Sequence, residues 1–358
     1  MKELRVYLRL GAGTLLPLAL MLYLALRLSP LLPGKVGEAE APPEAAVTAG
    51  APEAAAEVTQ APPSASPEEP EETAFPSPDG ERRLTLLTEG GALDLSLGEY
   101  LFGVVAAEMP ASFPPEALKA QAVAARTDTV WRQAGHSPHP EGACCTDPAC
   151  CKAWLSPEEL RARWGADYDR WAGAVRQAVA ETDGAVLLYG GEPIFAAFHA
   201  CSPGSTEASE NVWVEALPYL RSVSSPETAD TVPDFYSALT LSYGELRRVA
   251  QEALPGADLT GPGEGWLTDP EYTESGRLLR VKLGGLELSG TRLRSLLGLR
   301  SAAVTWICGE TDIRFTAAGY GHGVGMSQYG ARQMALEGAD CWTILAHYYT
   351  GAVPGLPG

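Results

Sequence analysis

The sequence predicts an α+β fold: a single globular domain of mixed helices and mainly antiparallel strands around a substrate cleft, preceded by a transmembrane helix and a disordered linker. Three observations lead there. Helix-period and strand-period segments follow one another after residue 83 without a strand–helix–strand rhythm, which argues against a doubly wound sheet. A long apolar run stands near the N-terminus. Between that run and residue 83 lies a stretch too acidic and too rich in Ala and Pro to bury a core.

Leu10–Leu26 is a run of 17 uncharged residues, the short end of a membrane-spanning helix. Lys2, Arg5 and Arg9 precede it and Arg27 and Lys35 follow, a modest bias toward a cytoplasmic N-terminus. Residues 1–35 therefore read as a membrane anchor. A cleaved signal peptide is the alternative, but no small-x-small site follows the run. Either way the domain behind it is exported. Residues 36–82 form the linker, with eleven Asp or Glu between 36 and 81 and no Lys or Arg. It spans about 40 Å as a coil and roughly 150 Å fully extended. The linker holds more than half of the formal charge of −19. Residues 83–352 are only mildly acidic and show no basic face, which argues against nucleic-acid binding.

Within the domain, Arg83–Leu95 alternates about a Gly-Gly turn and predicts a hairpin. Ser96 and Glu99 make a capping box for a helix through Glu108. Pro114-Pro115-Glu116 starts a second helix that ends near Gly135. A loop rich in Cys and His follows. Further helices are predicted from Ser156-Pro157-Glu158 and over Asp167–Thr182, then paired strands in Gly184–Phe198 about Gly190-Gly191. Leu239–Ala253 and Leu293–Leu297 read as helical, Leu278–Leu288 and Ala303–Phe315 as strands. Ser327 reads as the N-cap of a further helix, and Cys341–Tyr349 as a last helix closed by Gly351.

Glu108 stands apart in this pattern. Leu101, Val104 and Val105 precede it by seven, four and three residues, the spacings of one helical face. Burial on an apolar stripe and the negative end of the helix dipole both disfavour its ionised form. A carboxyl kept protonated near neutral pH suits a general acid. Helix geometry alone leaves open that Glu108 turns out into water. Lys119 and Arg126, seven apart on the second helix, share a face, and solvated polar contact is their ordinary state. The run Gly319–Ala331 holds five glycines around His322, but it lacks the spacing of a dinucleotide fingerprint and the Lys of a phosphate loop.

EYLFGVVAAEMP, EALKAQAVAART, FHACSPGSTEASENVW with PYLRSV, LRSLLGLRS, GYGHGVGMSQYGARQMA and ILAHYYTG occur here in that order. Together, from about Leu84 to Gly351, they closely resemble the stage II sporulation protein D family. The resemblance implies a membrane-anchored lytic transglycosylase acting outside the cytoplasm on peptidoglycan during forespore engulfment. It places Glu108 on the family's catalytic glutamate. It puts Lys119, Gln121, Arg126, Tyr219, Tyr320, His322 and Gln328 in family motifs, as residues of the glycan cleft; Arg126 has a structural ion pair as its alternative. It also implies peptide-stripped glycan strands as substrate, with a stage II sporulation protein P amidase and stage II sporulation protein M as partners.

In the loop His136–Trp154, His139, Cys145 and Cys151 are spaced six and six. Thiolate and imidazole suit zinc. The resemblance implies a structural zinc segment of this form, with Cys150 the candidate fourth ligand and His136 a weaker one. Cys144 and Cys150 each double a presumed ligand, so one or two disulfides in an exported domain remain the alternative. Cys201 beside His199 has a buried thiol as its ordinary reading. Two further functions compete with glycan cleavage. One is a zinc-dependent amidase or peptidase using the Cys/His loop. The other is a non-catalytic glycan-binding scaffold.

Overall fold

The fold is that of a computed structural model, which describes residues 78–140, 143–213 and 215–357. The expected anchor, and the linker up to residue 77, lie outside the described residues. Among the described residues no helix is long and apolar enough to cross a membrane.

Strands β1 (Arg83–Thr88) and β2 (Gly91–Ser96) form the expected hairpin. Ser96 then caps α1 (Leu97–Glu108): its side chain accepts from Glu99 N, and Glu99 takes the Ser96 N–H in return at 2.6 Å. Helix α2 (Pro115–Trp131) starts with Pro at its first turn, where no N–H is needed. It runs into a wide turn, Arg132–His136, that ends at the left-handed Gly135. The short strand β3 (Cys144–Cys145) pairs in parallel with β1. Helices α3 (Pro157–Trp164), with a second capping box at Ser156, and α4 (Tyr168–Ala180) follow. Strands β4 (Val186–Tyr189), β5 (Glu192–Pro193) and β6 (Phe198–His199) lead into a long irregular stretch.

The chain then builds β7 (Tyr236–Ser242), α5 (Tyr243–Ala253), β8 (Leu267–Tyr272), β9 (Leu278–Leu283), β10 (Leu286–Ser289), α6 (Gly290–Leu297), β11 (Val304–Cys308) and β12 (Asp312–Ala318). These make two antiparallel sheets, ordered β10-β9-β8 and β11-β12-β7. The chain returns through β13 (Met326–Ser327), parallel to β6, and ends with α7 (Gln328–Leu336), α8 (Cys341–Tyr348) and β14 (Val353–Gly355) against β4. The result is a mixed α+β domain with small, mostly antiparallel sheets.

Two main apolar cores divide the domain. The first gathers α1, α2, α4, α7 and α8; Leu101, Val104, Val105, Val123 and Ile344 are fully buried there. The second gathers the sheets of β7–β12 around Val281, Leu283, Leu293 and Phe315. Each such side chain contributes about 1.5–3 kcal/mol by leaving water.

Four segments differ from the sequence reading. Residues 239–242 are strand rather than helix, because β7 pairs with β12 (Leu239 opposite Phe315); the helix starts only where Ser242 caps it. Leu278–Leu288 and Ala303–Phe315 are hairpins rather than single strands, the first turning at Gly284 and Gly285 with φ of 57° and 80°. Strand β8 was not anticipated: Pro270 lies inside it, which an edge strand with a bulge tolerates.

Candidate functional site

Glu108 is the last residue of α1. The apolar stripe that leads to it is fully buried, while Glu108 itself is half-buried. Its Oε1 accepts the backbone N–H of Ala153 at 3.0 Å. Burial holds its carboxyl above the ordinary range, with a small addition from the charge of Asp128; the Ala153 N–H and the Lys152 ammonium pull the other way. A carboxyl raised in this way holds its proton to higher pH than an ordinary one, the direction a general acid needs.

Ala153 reaches Glu108 because of the loop before it. The ligand atoms of His139, Cys145, Cys150 and Cys151 all lie within 4.8 Å of one another. Cys150 Sγ is 3.3 Å from His139 Nε2 and 4.0 Å from Cys151 Sγ. All seven cysteines are free thiols, so the disulfide alternative is not adopted. Cys144 stands outside the set, buried against Tyr100. Its thiol donates to Cys151, and Arg132 lies 3.9 Å from the same sulfur; together they lower the Cys151 thiol to about 4, favouring the thiolate that binds metals. Three sulfurs and one imidazole fit a closed tetrahedral metal site. His136 is not among the four; its ring stacks on Trp131 at 4.2 Å.

The residues after Cys151 fasten this loop to α1 and α2. Lys152 Nζ lies 3.0 Å from Asp128 Oδ2 and 4.9 Å from the centre of the Phe198 ring. Trp154 fits against Gly103 of α1, where an added Cβ would lie 2.2 Å from the indole nitrogen. Asp128 is fully buried and also binds Arg132, yet its Oδ1 has no partner.

A row of rings runs from this loop to the glycine-rich segment. His136 stacks on Trp131, Trp131 meets Phe195 at 5.0 Å, Phe195 meets Trp213 at 5.3 Å, and Trp213 meets His322 at 5.2 Å. His322 then faces His199 at 5.6 Å. Trp131, Phe195, Trp213 and His322 are half-buried, so the row keeps an open side. His322 Nδ1 accepts the Val324 N–H, which leaves its proton on Nε2. Loss of hydration, with the nearby charges of Arg294 and Lys152, pushes its pKa down to about 3, so it is a neutral donor at working pH. Glycine is required beside it: at Gly325, with φ of 70°, a Cβ would sit 2.0 Å from the Ala197 carbonyl oxygen.

The other residues named from the sequence lie as follows. Lys119 pairs with Glu116 at 2.8 Å and with Glu181. Arg126 is 1% exposed and forms a buried ion pair with Asp79, its remaining N–H groups donating to Val179 O, Ala185 O and Thr182. The face that Lys119 and Arg126 share is therefore turned to the end of α4. Arg126 is corrected from cleft residue to structural ion-pair partner, since a guanidinium so enclosed has no donor left for a ligand. Gln121 and Gln328 are buried and joined at 3.3 Å, with Gln121 Nε2 unpartnered. Neither meets solvent in this conformation. Tyr219 is half-buried beside Tyr189, and its hydroxyl accepts the Phe195 N–H. Tyr320 is 47% exposed with the Arg300 guanidinium over its ring. Cys201 does not engage His199; its thiol donates to the Ser202 carbonyl, while His199 Nε2 faces Ser202 Oγ at 2.6 Å.

Sequence reading missed Lys152, Asp128 and the rings of Trp131, Phe195 and Trp213. The one local signal was Asp128 four residues before Arg132, an ion-pair spacing.

The profile described as stage II sporulation protein matches residues 91–189. Stage II sporulation protein D of Bacillus subtilis (strain 168) is 38% identical over 260 residues, 72% of this chain and 74% of that protein. The protein of the same name from Bacillus amyloliquefaciens is 39% identical over the same shares. The amidase enhancer of Bacillus subtilis (strain 168) is 30% identical over 309 residues, 70% of this chain and 39% of that protein.

Proposed function

The chain belongs to the stage II sporulation protein D family, and we propose that it is a lytic transglycosylase of peptidoglycan. The observation that carries this reading is Glu108: a half-buried carboxyl, held above its ordinary range by burial and bonded to the segment that follows the cysteine loop. Its acid form protonates the glycosidic oxygen between N-acetylmuramic acid and N-acetylglucosamine, and the bond from that oxygen to the muramyl anomeric carbon breaks. The resulting carboxylate takes the proton of the muramyl 6-hydroxyl as that oxygen bonds to the anomeric carbon. The proton returns to Glu108 and no water is consumed, leaving a 1,6-anhydro end. Ordinary glycosidases pair two carboxylates; here one group serves in turn.

The remaining residues bind and orient. Half-buried rings suit the apolar faces of sugars, and the backbone bonds of His322 to Val324 and Phe198 hold its imidazole in place among them. Ala153 N–H and Lys152 steady the ionised glutamate. Zinc is the metal that His139, Cys145, Cys150 and Cys151 would hold, and its chemistry would be structural: a cross-link fixing the loop that presents Lys152 and Ala153. A set that uses four protein ligands argues against a hydrolytic amidase centre, which keeps a position open.

The expected setting is extracytoplasmic, tethered through residues 1–35, on peptide-stripped strands during engulfment, beside a stage II sporulation protein P amidase and stage II sporulation protein M. The likeness to a protein named amidase enhancer favours one second reading, a glycan-binding module that acts with an amidase. Mass spectrometry of purified peptide-free strands treated with the 358-residue chain separates the two. Anhydro ends are the expected result. Binding without cleavage would favour the module, and reducing ends would make the protein a hydrolase.

A further inference from the structure

Arg294 and Arg300 lack acidic partners among the described residues, as do several other arginines, but these two lie beside the glycine-rich segment that carries His322. The chain has 45 acidic residues against 26 basic ones. Arg294, half-buried on α6, makes a single hydrogen bond, from Nε to Leu299 O at 3.2 Å. Arg300 donates through Nη1 to Asp234 O at 3.1 Å and lies 4.5 Å over the Tyr320 ring. Neither meets a carboxylate among the described residues. A guanidinium has five N–H donors, so most of theirs remain free.

Their placement ties them to the site. The left-handed Gly298 closes α6, and Leu299 N returns to Arg294 O at 2.9 Å, fixing the turn between the two arginines. Arg300 O accepts the Gly321 N–H at 2.9 Å, so Arg300 is pinned to the residue before His322. The charge of Arg294 is felt at Tyr320, His322 and His199. Lys152 acts on His322 from the Glu108 side. The charges of both Arg294 and Lys152 therefore act on His322.

We propose that Arg294 and Arg300 form a carboxylate-binding subsite that reads the acidic group carried by the glycan. This deepens the reading of the chain as a glycan-strand enzyme and rests on it. Planar guanidinia match a carboxylate in a fork geometry that neutral donors do not reproduce. In peptidoglycan that carboxylate has two sources, the lactyl group of a peptide-free muramyl residue or the stem peptide. An unmodified chitin-type sugar carries none.

The test uses the 358-residue chain in detergent, with three probes: peptide-free strands, the same strands with their carboxylates converted to methylamides, and peptide-bearing strands. The double variant Arg294→Gln/Arg300→Gln should bind peptide-free strands about 10- to 100-fold more weakly, the worth of charge-assisted hydrogen bonds. It should bind the methylamides as weakly as the unaltered protein does. Arg300→Gln alone, at a partly exposed side chain, should lose part of the affinity and serves if the double variant does not fold. Tight binding of peptide-free strands assigns the subsite to the lactyl carboxylate; a preference for peptide-bearing strands assigns it to the stem peptide. Equal binding of charged and methylamidated strands by the unaltered protein, with no preference for peptide-bearing strands, would overturn the subsite. So would equal losses on all three probes in the variants. Discrimination by charge without any cleavage would leave the subsite standing and sink the transglycosylase reading, whereas cleavage without discrimination would do the reverse.

Discussion

Around the second core the ion pairs Arg280–Glu271, Lys282–Asp269 and Arg248–Glu252 all lie at the surface, and the core beneath them is apolar. Around the first core the chain buries Arg126 with Asp79, and Asp128 with Arg132 and Lys152. Surface pairs contribute little because water already solvates both partners. Buried pairs cost desolvation and are tolerated only when their hydrogen bonds are satisfied. The two buried pairs of α2 differ on that point. The carboxylate of Asp79 has both oxygens bound by Arg126, whereas Asp128 keeps Oδ1 unpartnered. A fully satisfied pair holds the fold. The unsatisfied one is joined through Lys152 to the segment that contacts Glu108, the proposed acid.

Breaking that contrast should have graded effects. Glu108→Gln should have the largest, a loss of cleavage of about 10²- to 10⁴-fold in kcat, the usual worth of a general acid or base. The same substitution should leave the fold intact and raise the melting temperature at neutral pH. The sign follows from the raised pKa: its contribution is present below the unfolded carboxyl range and is lost as pH rises through the higher folded value. A drop in melting temperature at neutral pH would contradict the burial argument.

Asp79→Ala should cost about 3–5 kcal/mol in denaturant unfolding, because it strands a buried guanidinium. Little change in the pH dependence of kcat should accompany it. Removing the proposed zinc with a chelator should speed amide exchange in residues 143–155 and lower cleavage, while β7–β12 keep their protection. Uniform loosening of both cores would argue against a local role for the loop.

Smaller effects should come from pH. His199 and His322 are both pushed down, chiefly by burial, so their stabilising contribution is present above the ordinary imidazole range. It is lost as pH falls toward about 3, the value for His322. The urea midpoint should fall across that window, and less steeply in His322→Phe. Lys152→Met removes a charge that lowers the Glu108 pKa, so the alkaline limb of kcat/KM should move to higher pH. The smallest effect belongs to the second core: Arg280→Ala, an exposed partner, should leave the unfolding midpoint unchanged.

Much of the first core was legible because local rules agree with the fold there. The capping boxes at Ser96 and Ser156, the stripe before Glu108 and the spacing of His139, Cys145 and Cys151 are all readable over a few residues. What was hidden depends on distant partners. Asp79 sits in an Ala/Pro/Glu-rich stretch and meets Arg126 across 47 residues, so Arg126 read as a cleft residue. The paired residues of β7 and β12 are even further apart in sequence, so the start of β7 looked helical. Lys152 gained meaning only once the cysteine loop had folded onto α1 and α2. Tyr219, Tyr320 and His322 were named from motifs, but the aromatic row that joins His322 to the cysteine loop needed coordinates.

The central claim is that Glu108 alone serves as acid and then as base, with no water in the reaction. Cleavage of peptide-free strands in water enriched in oxygen-18 tests it most directly, with Glu108→Gln run in parallel. Anhydro ends carrying no oxygen-18 are expected from the unaltered protein, with product cut by about 10²- to 10⁴-fold in the variant despite retained strand binding. Reducing ends that carry oxygen-18, or undiminished cleavage by the variant, would contradict it.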